Sequence, residues 1–101
     1  MKYLMLIYSD EKAYESMDPQ EVGEMFAAYQ AFNEETAKSG QLLSGHALQP
    51  TATATTVSVR DGKRMVTDGP FAETKEQLGG YYLLECSSLD EAMRWQRRSP
   101  T

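Results

Sequence analysis

The side chains most able to do chemistry cluster in Thr67-Asp68-Gly69-Pro70-Phe71-Ala72-Glu73-Thr74-Lys75-Glu76, which sets three carboxylates and a lysine within ten positions. A connector between two strands needs only a few polar residues, so a segment this rich is a place to look for function. The chemistry such a set supports is proton transfer. Asp68 ends a strand-like run beside Gly69, where a partly desolvated carboxylate can act as a general base. Glu73, three residues after Pro70, can point into a pocket while Glu76 faces solvent. His46 is the one histidine, the side chain type that titrates near neutrality, and it follows Gly45, a position prone to a bulge. The candidate catalytic residues are therefore Asp68, His46 and Glu73. The reading strengthens if either carboxylate comes within hydrogen-bond reach of the histidine.

Each of these residues also has a structural role open to it. Asp before Gly-Pro can cap a turn by accepting backbone N–H groups, and Pro70 can start a short helical turn that favours Glu73 and Glu76 near its N-terminus. Lys75 and Glu76 suit a solvated surface. A lone histidine in a strand is commonly a partly exposed structural residue. Phe71 is expected to anchor the turn in the core, and it is also a candidate ligand contact with Tyr29 and Tyr82. Tyr81 could line the same pocket, and core packing is the ordinary role of all three tyrosines.

Other chemistries find less support. One histidine and one cysteine make a dedicated zinc cluster implausible. No nucleophile elbow is present, and Gly79-Gly80 lacks the spacing and following helix of a phosphate loop. No metal or cofactor is expected. Cys86 lies in an apolar run and reads as a buried, inert thiol. The net charge of −5 disfavours nucleic acid and anionic membrane as partners. Arg94, Arg97 and Arg98 form a local cluster that suits the end of a helix. The apolar run at residues 3–8 is short and followed at once by charge, so neither a secretion signal nor a membrane span is expected. A cytoplasmic location is expected.

These residues must be held by a scaffold, and its elements are legible. Residues 2–8 predict a strand that is apolar at both parities, so both of its faces call for cover. Residues 10–17 read as a polar loop. Asp18-Pro19-Gln20-Glu21 predicts a helix start, followed by Val22, Met25, Phe26, Tyr29, Phe32 and Thr36 as a core stripe, with Gly40 as its left-handed end. Residues 41–48 and 55–60 predict strands, Asp61-Gly62 predicts a tight hairpin turn, and residues 63–67 predict its return strand. Residues 81–86 predict another strand that is apolar at both parities. Ser88 and Glu91 predict a capped final helix, stopped by Pro100.

The 101 residues predict one α+β domain: a sandwich of a mostly antiparallel sheet with two helices on one face. The opposite face of the sheet is left uncovered. A second copy of the chain, sheet against sheet, is the simplest cover, so a homodimer with a barrel-like interior is predicted.

The run Val66-Thr67-Asp68-Gly69-Pro70-Phe71-Ala72-Glu73-Thr74-Lys75-Glu76-Gln77-Leu78-Gly79-Gly80-Tyr81-Tyr82-Leu83 resembles the signature of the DGPF branch of the YCII-related proteins. The initial strand, Gly40-Gln41-Leu42-Leu43, Gly45-His46-Ala47-Leu48 and Ser88-Leu89-Asp90-Glu91-Ala92 extend the resemblance over nearly the whole chain. The resemblance implies a ferredoxin-like α+β fold that pairs into a dimeric α+β barrel with a cleft at the sheet face. It implies bacterial proteins often encoded beside extracytoplasmic-function sigma factors, with no established reaction. Two readings follow: a homodimer with a small-molecule pocket and acid/base activity, or a non-catalytic ligand-binding or regulatory module acting with such a sigma factor. Two departures bear on this. The histidine and aspartate of the founding YCII branch fall on Tyr29 and Lys38. The usual final edge strand has no counterpart before Ser99-Pro100-Thr101, so what occupies that sheet edge is left open.

Overall fold

The computed structural model describes residues 1–100. Strand β1, Lys2–Ser9, alternates in burial although both of its faces are apolar. Tyr3, Met5 and Ile7 pack against the core, whereas Leu4, Leu6 and Tyr8 are 58%, 46% and 49% exposed. The segment expected as a loop then forms a short helix, α1, Glu11–Glu15. Asp10 starts it by accepting the N–H of Lys12 at 2.9 Å, a cap followed by the good helix formers Glu11, Lys12 and Ala13.

Helix α2, Pro19–Lys38, begins as predicted: the Asp18 carboxylate accepts the Glu21 N–H at 2.8 Å, with proline in the first turn. It ends at Gly40, where φ is +76°, a conformation that suits glycine. Phe32 and Thr36 are buried, and Val22, Met25 and Tyr29 half-buried. Phe26, expected in that stripe, is 59% exposed. It lies one residue past Met25, about 100° around the helix from that side chain and about 80° from the middle of the stripe.

The remaining elements are β2, Leu42–Ala47, a single 3₁₀ turn, Thr51–Thr53, β3, Thr55–Arg60, β4, Lys63–Asp68, β5, Gln77–Glu85, and α3, Leu89–Arg98. Three helices therefore stand where two were expected. Ser88 accepts the Glu91 N–H at 3.2 Å, and Glu91 reaches back to the Ser87 N–H at 3.0 Å, so the expected capping box forms one residue wider. The core is Phe32, Tyr82, Leu84, Cys86 and Trp95. Phe32 meets the rings of Tyr82 and Trp95 edge-on, at 5.2 and 6.1 Å, so α2 and α3 share one face of β5. Burying a side chain such as Leu84 contributes roughly 1.5–3 kcal/mol. Arg98 pairs with Glu35 and lies 5.1 Å over Trp95, fastening α3 to α2.

The strands do not form one sheet. β1–β5–β2 make a three-stranded antiparallel sheet, and β3–β4 a separate hairpin. The predicted Asp61-Gly62 turn is present, both residues at positive φ of 51° and 75°, as a type I′ turn requires. The arrangement is consistent with a ferredoxin-like α+β fold. Its dimensions of 45 × 39 × 18 Å and Cα radius of gyration of 16.2 Å exceed the roughly 13 Å of a compact chain of this length, because the hairpin projects as an arm.

Candidate functional site

Antiparallel register decides which side chains share the sheet face away from the helices. Leu6 pairs with Tyr81, and Tyr81 with His46, so these three form one row across β1, β5 and β2. Leu4, Leu83 and Ser44 form the next row. On this largely apolar surface His46 Nδ1 lies 2.8 Å from the Tyr81 hydroxyl, with the rings 5.6 Å apart. A neutral imidazole can accept the phenolic proton there, or donate to the phenol oxygen in its other tautomer. The pair can therefore relay a proton between a molecule on the face and the ring.

Gly80 shapes this site from below. It pairs with Ala47 beside the histidine, and a Cβ there would stand 2.9 Å from the His46 carbonyl oxygen. The glycine lets β2 approach β5 closely enough for the two side chains to meet.

Asp68 ends β4 opposite Thr55 and is exposed. The turn after it is closed by other groups: the Gly69 N–H donates to the Ala54 carbonyl at 2.7 Å, and the Thr56 hydroxyl to the Gly69 carbonyl at 2.8 Å. The short helix expected from Pro70 does not form; residues 69–76 are irregular, and Glu73 is exposed. Phe71, expected to anchor the turn in the core, is 89% exposed. The segment follows the projecting hairpin, so its aromatic ring has no core within reach. Among the described residues no hydrogen bond or ion pair joins Asp68 or Glu73 to His46.

Tyr82 and Tyr29 lie together on the opposite, helix-covered face. Tyr82 donates its hydroxyl proton to Asn33 of α2. Burial raises the pKa of both phenols, and the nearby Tyr29 adds to the shift of Tyr82. Tyr82 pairs with Gly45 while Tyr81 pairs with His46, and this single step in register puts Tyr82 and His46 on opposite faces. The partner of the histidine is thus Tyr81, not a carboxylate. Only the β2–β5 register could have shown this. A second contact hidden from sequence is Glu11, whose carboxylate accepts both the N–H and hydroxyl of Thr51 at 2.9 Å. It ties α1 to the approach to the hairpin.

Cys86 is buried, as expected. Burial and, secondarily, the Glu91 carboxylate push its thiol pKa up, which opposes nucleophilic use. Two shallow clefts of about 200 and 150 Å³ run between β1 and α3; neither is lined by His46, Asp68 or Glu73. No helix among the described residues is long and apolar enough to cross a membrane.

These features define a small α+β protein with one sheet face packed under helices and the other left open around a histidine–tyrosine pair. The chain belongs to the YCII-related domain family, whose model matches residues 1–101. It is 39% identical over 97 residues to an uncharacterised protein of Rhizobium meliloti, covering 96% of this chain and 78% of that relative.

Proposed function

We propose that this is a homodimeric member of the DGPF branch, built as one domain over residues 1–101, that binds a small molecule on its open sheet face and acts on it by proton transfer. The carrying observation is the 2.8 Å contact between His46 and Tyr81 on an otherwise apolar surface. Covering that face with a second sheet would desolvate the pair, and a hydrogen-bonded pair away from water is well suited to moving a proton. Asp68 and Glu73 are the further acid/base groups, and Phe71 a ligand contact. Tyr29 and Tyr82 support the site from the helix face by fixing β5. The chemistry is that of a lyase, isomerase or cofactor-free enzyme working in the cytoplasm.

Native mass spectrometry of gently purified protein tests this reading. The wild type should be a dimer retaining a small molecule, and His46→Gln and Tyr81→Phe should each lose it while remaining dimeric. Unchanged retention in both variants would refute the site. One observation favours a second reading: within one chain Asp68 and Glu73 do not reach His46, as a non-catalytic module acting with an extracytoplasmic-function sigma factor would allow. Failure of the purified sigma factor and this protein to co-elute would count against that alternative.

A further inference from the structure

The β3–β4 arm has a problem of its own. A two-stranded hairpin is marginal in water without an apolar face packed on something. Its register places Val57 opposite Val66, Val59 opposite Arg64, and Thr55 opposite Asp68. Val57, Val59 and Val66 therefore share one face with Thr55, Arg64 and Asp68, and the three valines are 57%, 68% and 63% exposed. The same chain carries an acceptor, the sheet face on which Leu4 and Leu6 are exposed and Tyr81 and Leu83 half-buried.

We infer that the β3–β4 arm packs its valine face on the open sheet of a second copy, so that Asp68 of each chain joins His46 and Tyr81 of the other in a site completed in trans. The inference rests on the homodimer proposed above and deepens it. The occupant is a second copy because each copy holds one donor arm and one acceptor sheet, and a two-fold axis satisfies both arms at once. Strands spaced about 4.8 Å and rising about 3.3 Å per residue give a six-residue, three-stranded face roughly 290 Å² of projected area and the hairpin roughly 190 Å². The arm covers only its own area of the larger face, so two such contacts bury about 760 Å² of projected area over both partners; side-chain relief and the Phe71 ring carry the contact towards the roughly 1,000 Å² of a specific interface. Phe71, just beyond Asp68, is the kind of exposed aromatic that anchors such contacts. Asp68 rides on the docking face, so pairing removes its carboxylate from water beside an imidazole and a phenol. That is a setting in which a carboxylate can orient a histidine and stabilise its protonated form.

The test is cross-linking between chains. Tagged Val66→Cys and untagged Leu6→Cys proteins are mixed, refolded together and oxidised, with wild type as the control for the buried Cys86. A covalent pair of one tagged and one untagged chain is expected; Val57→Cys serves if Val66→Cys does not fold. If that pair is absent while Leu6→Cys cross-links to itself, the arm exchange is wrong and the sheet-to-sheet dimer stands. A monomer by light scattering at micromolar concentration would overturn both. The role of Asp68 is read separately from the ring resonances of His46, the one histidine. Asp68→Asn should shift them in the dimer, and an unmoved ring would remove Asp68 from the site.

Discussion

Gly80→Ala should unpick the site through the backbone. The added Cβ would lie 2.9 Å from the His46 carbonyl oxygen and 3.5 Å from the Ala47 Cα. Both are main-chain atoms, so no side chain can swing away. Ordinary contact begins near 3.4 Å, and β2 must retreat by about half an ångström. As an edge strand, held only by β5, it can do so, at the expense of its ladder hydrogen bonds. Overpacking of this kind costs about 1–3 kcal/mol. For a chain of this length that lowers Tm by about 4–20 °C. The same retreat lengthens the 2.8 Å His46–Tyr81 contact to about 3.3 Å, a weakened hydrogen bond, so the His46 ring resonances should move. Gly23→Ala is the matched control, since a Cβ there meets nothing within 4 Å and the position is inside α2. It should raise stability by about 0.5–1 kcal/mol. Calorimetry of the two variants decides the matter: if both shift Tm in the same direction, or Gly80→Ala leaves it unchanged, the close-approach argument is wrong.

Leu84→Ala, at a fully buried position, should cost about 3–5 kcal/mol in urea unfolding, and a loss below 1 kcal/mol would place the core elsewhere. Phe71→Ser should change the unfolding free energy of the single chain by less than about 0.5 kcal/mol, because that ring is 89% exposed, yet raise the dimer dissociation constant measured by analytical ultracentrifugation. The Glu21 N–H bond lowers the Asp18 pKa below its ordinary 3.8. The stability advantage of wild type over Asp18→Ala should then be full above that value and fade as pH falls through the lowered one, followed by thermal melts. The raised Cys86 thiol pKa works in the opposite sense: its contribution is present below the unfolded thiol value and is lost as pH rises towards the folded one. Native protein should resist a thiol reagent at neutral pH and react on unfolding; rapid labelling of native protein would contradict the burial.

Local signals in the sequence carried far because they act over a few residues. The caps at Asp18 and Ser88, the left-handed Gly40 and the Asp61-Gly62 turn each depend on neighbours within one helical turn or one hairpin, and each forms. Asp10 is the same signal on too short a segment, five residues, and residues 10–17 therefore read as a loop. Phe26 and Phe71 show the limit of composition. Large aromatics favour burial, but burial needs a partner surface at that place, and neither the outer side of α2 nor the projecting segment 69–76 offers one within the chain.

Sequence by itself determined the family, the order of the elements apart from α1 and the 3₁₀ turn, and the apolar character of both faces of β1 and β5, since these follow from residue types and their period. It singled out His46 as well, because histidine is the group that titrates near neutrality. Only the tertiary structure decided what His46 meets. Side chains alternate across a strand, so one step of register between β2 and β5 selects Tyr81 over Tyr82 and the open face over the helix face. Likewise, only the three-dimensional arrangement separated β3–β4 from the main sheet and gave the histidine Tyr81, rather than Asp68 or Glu73, as its hydrogen-bond partner within the described residues. Strand pairing depends on contacts between residues far apart in the chain, and no local pattern encodes it.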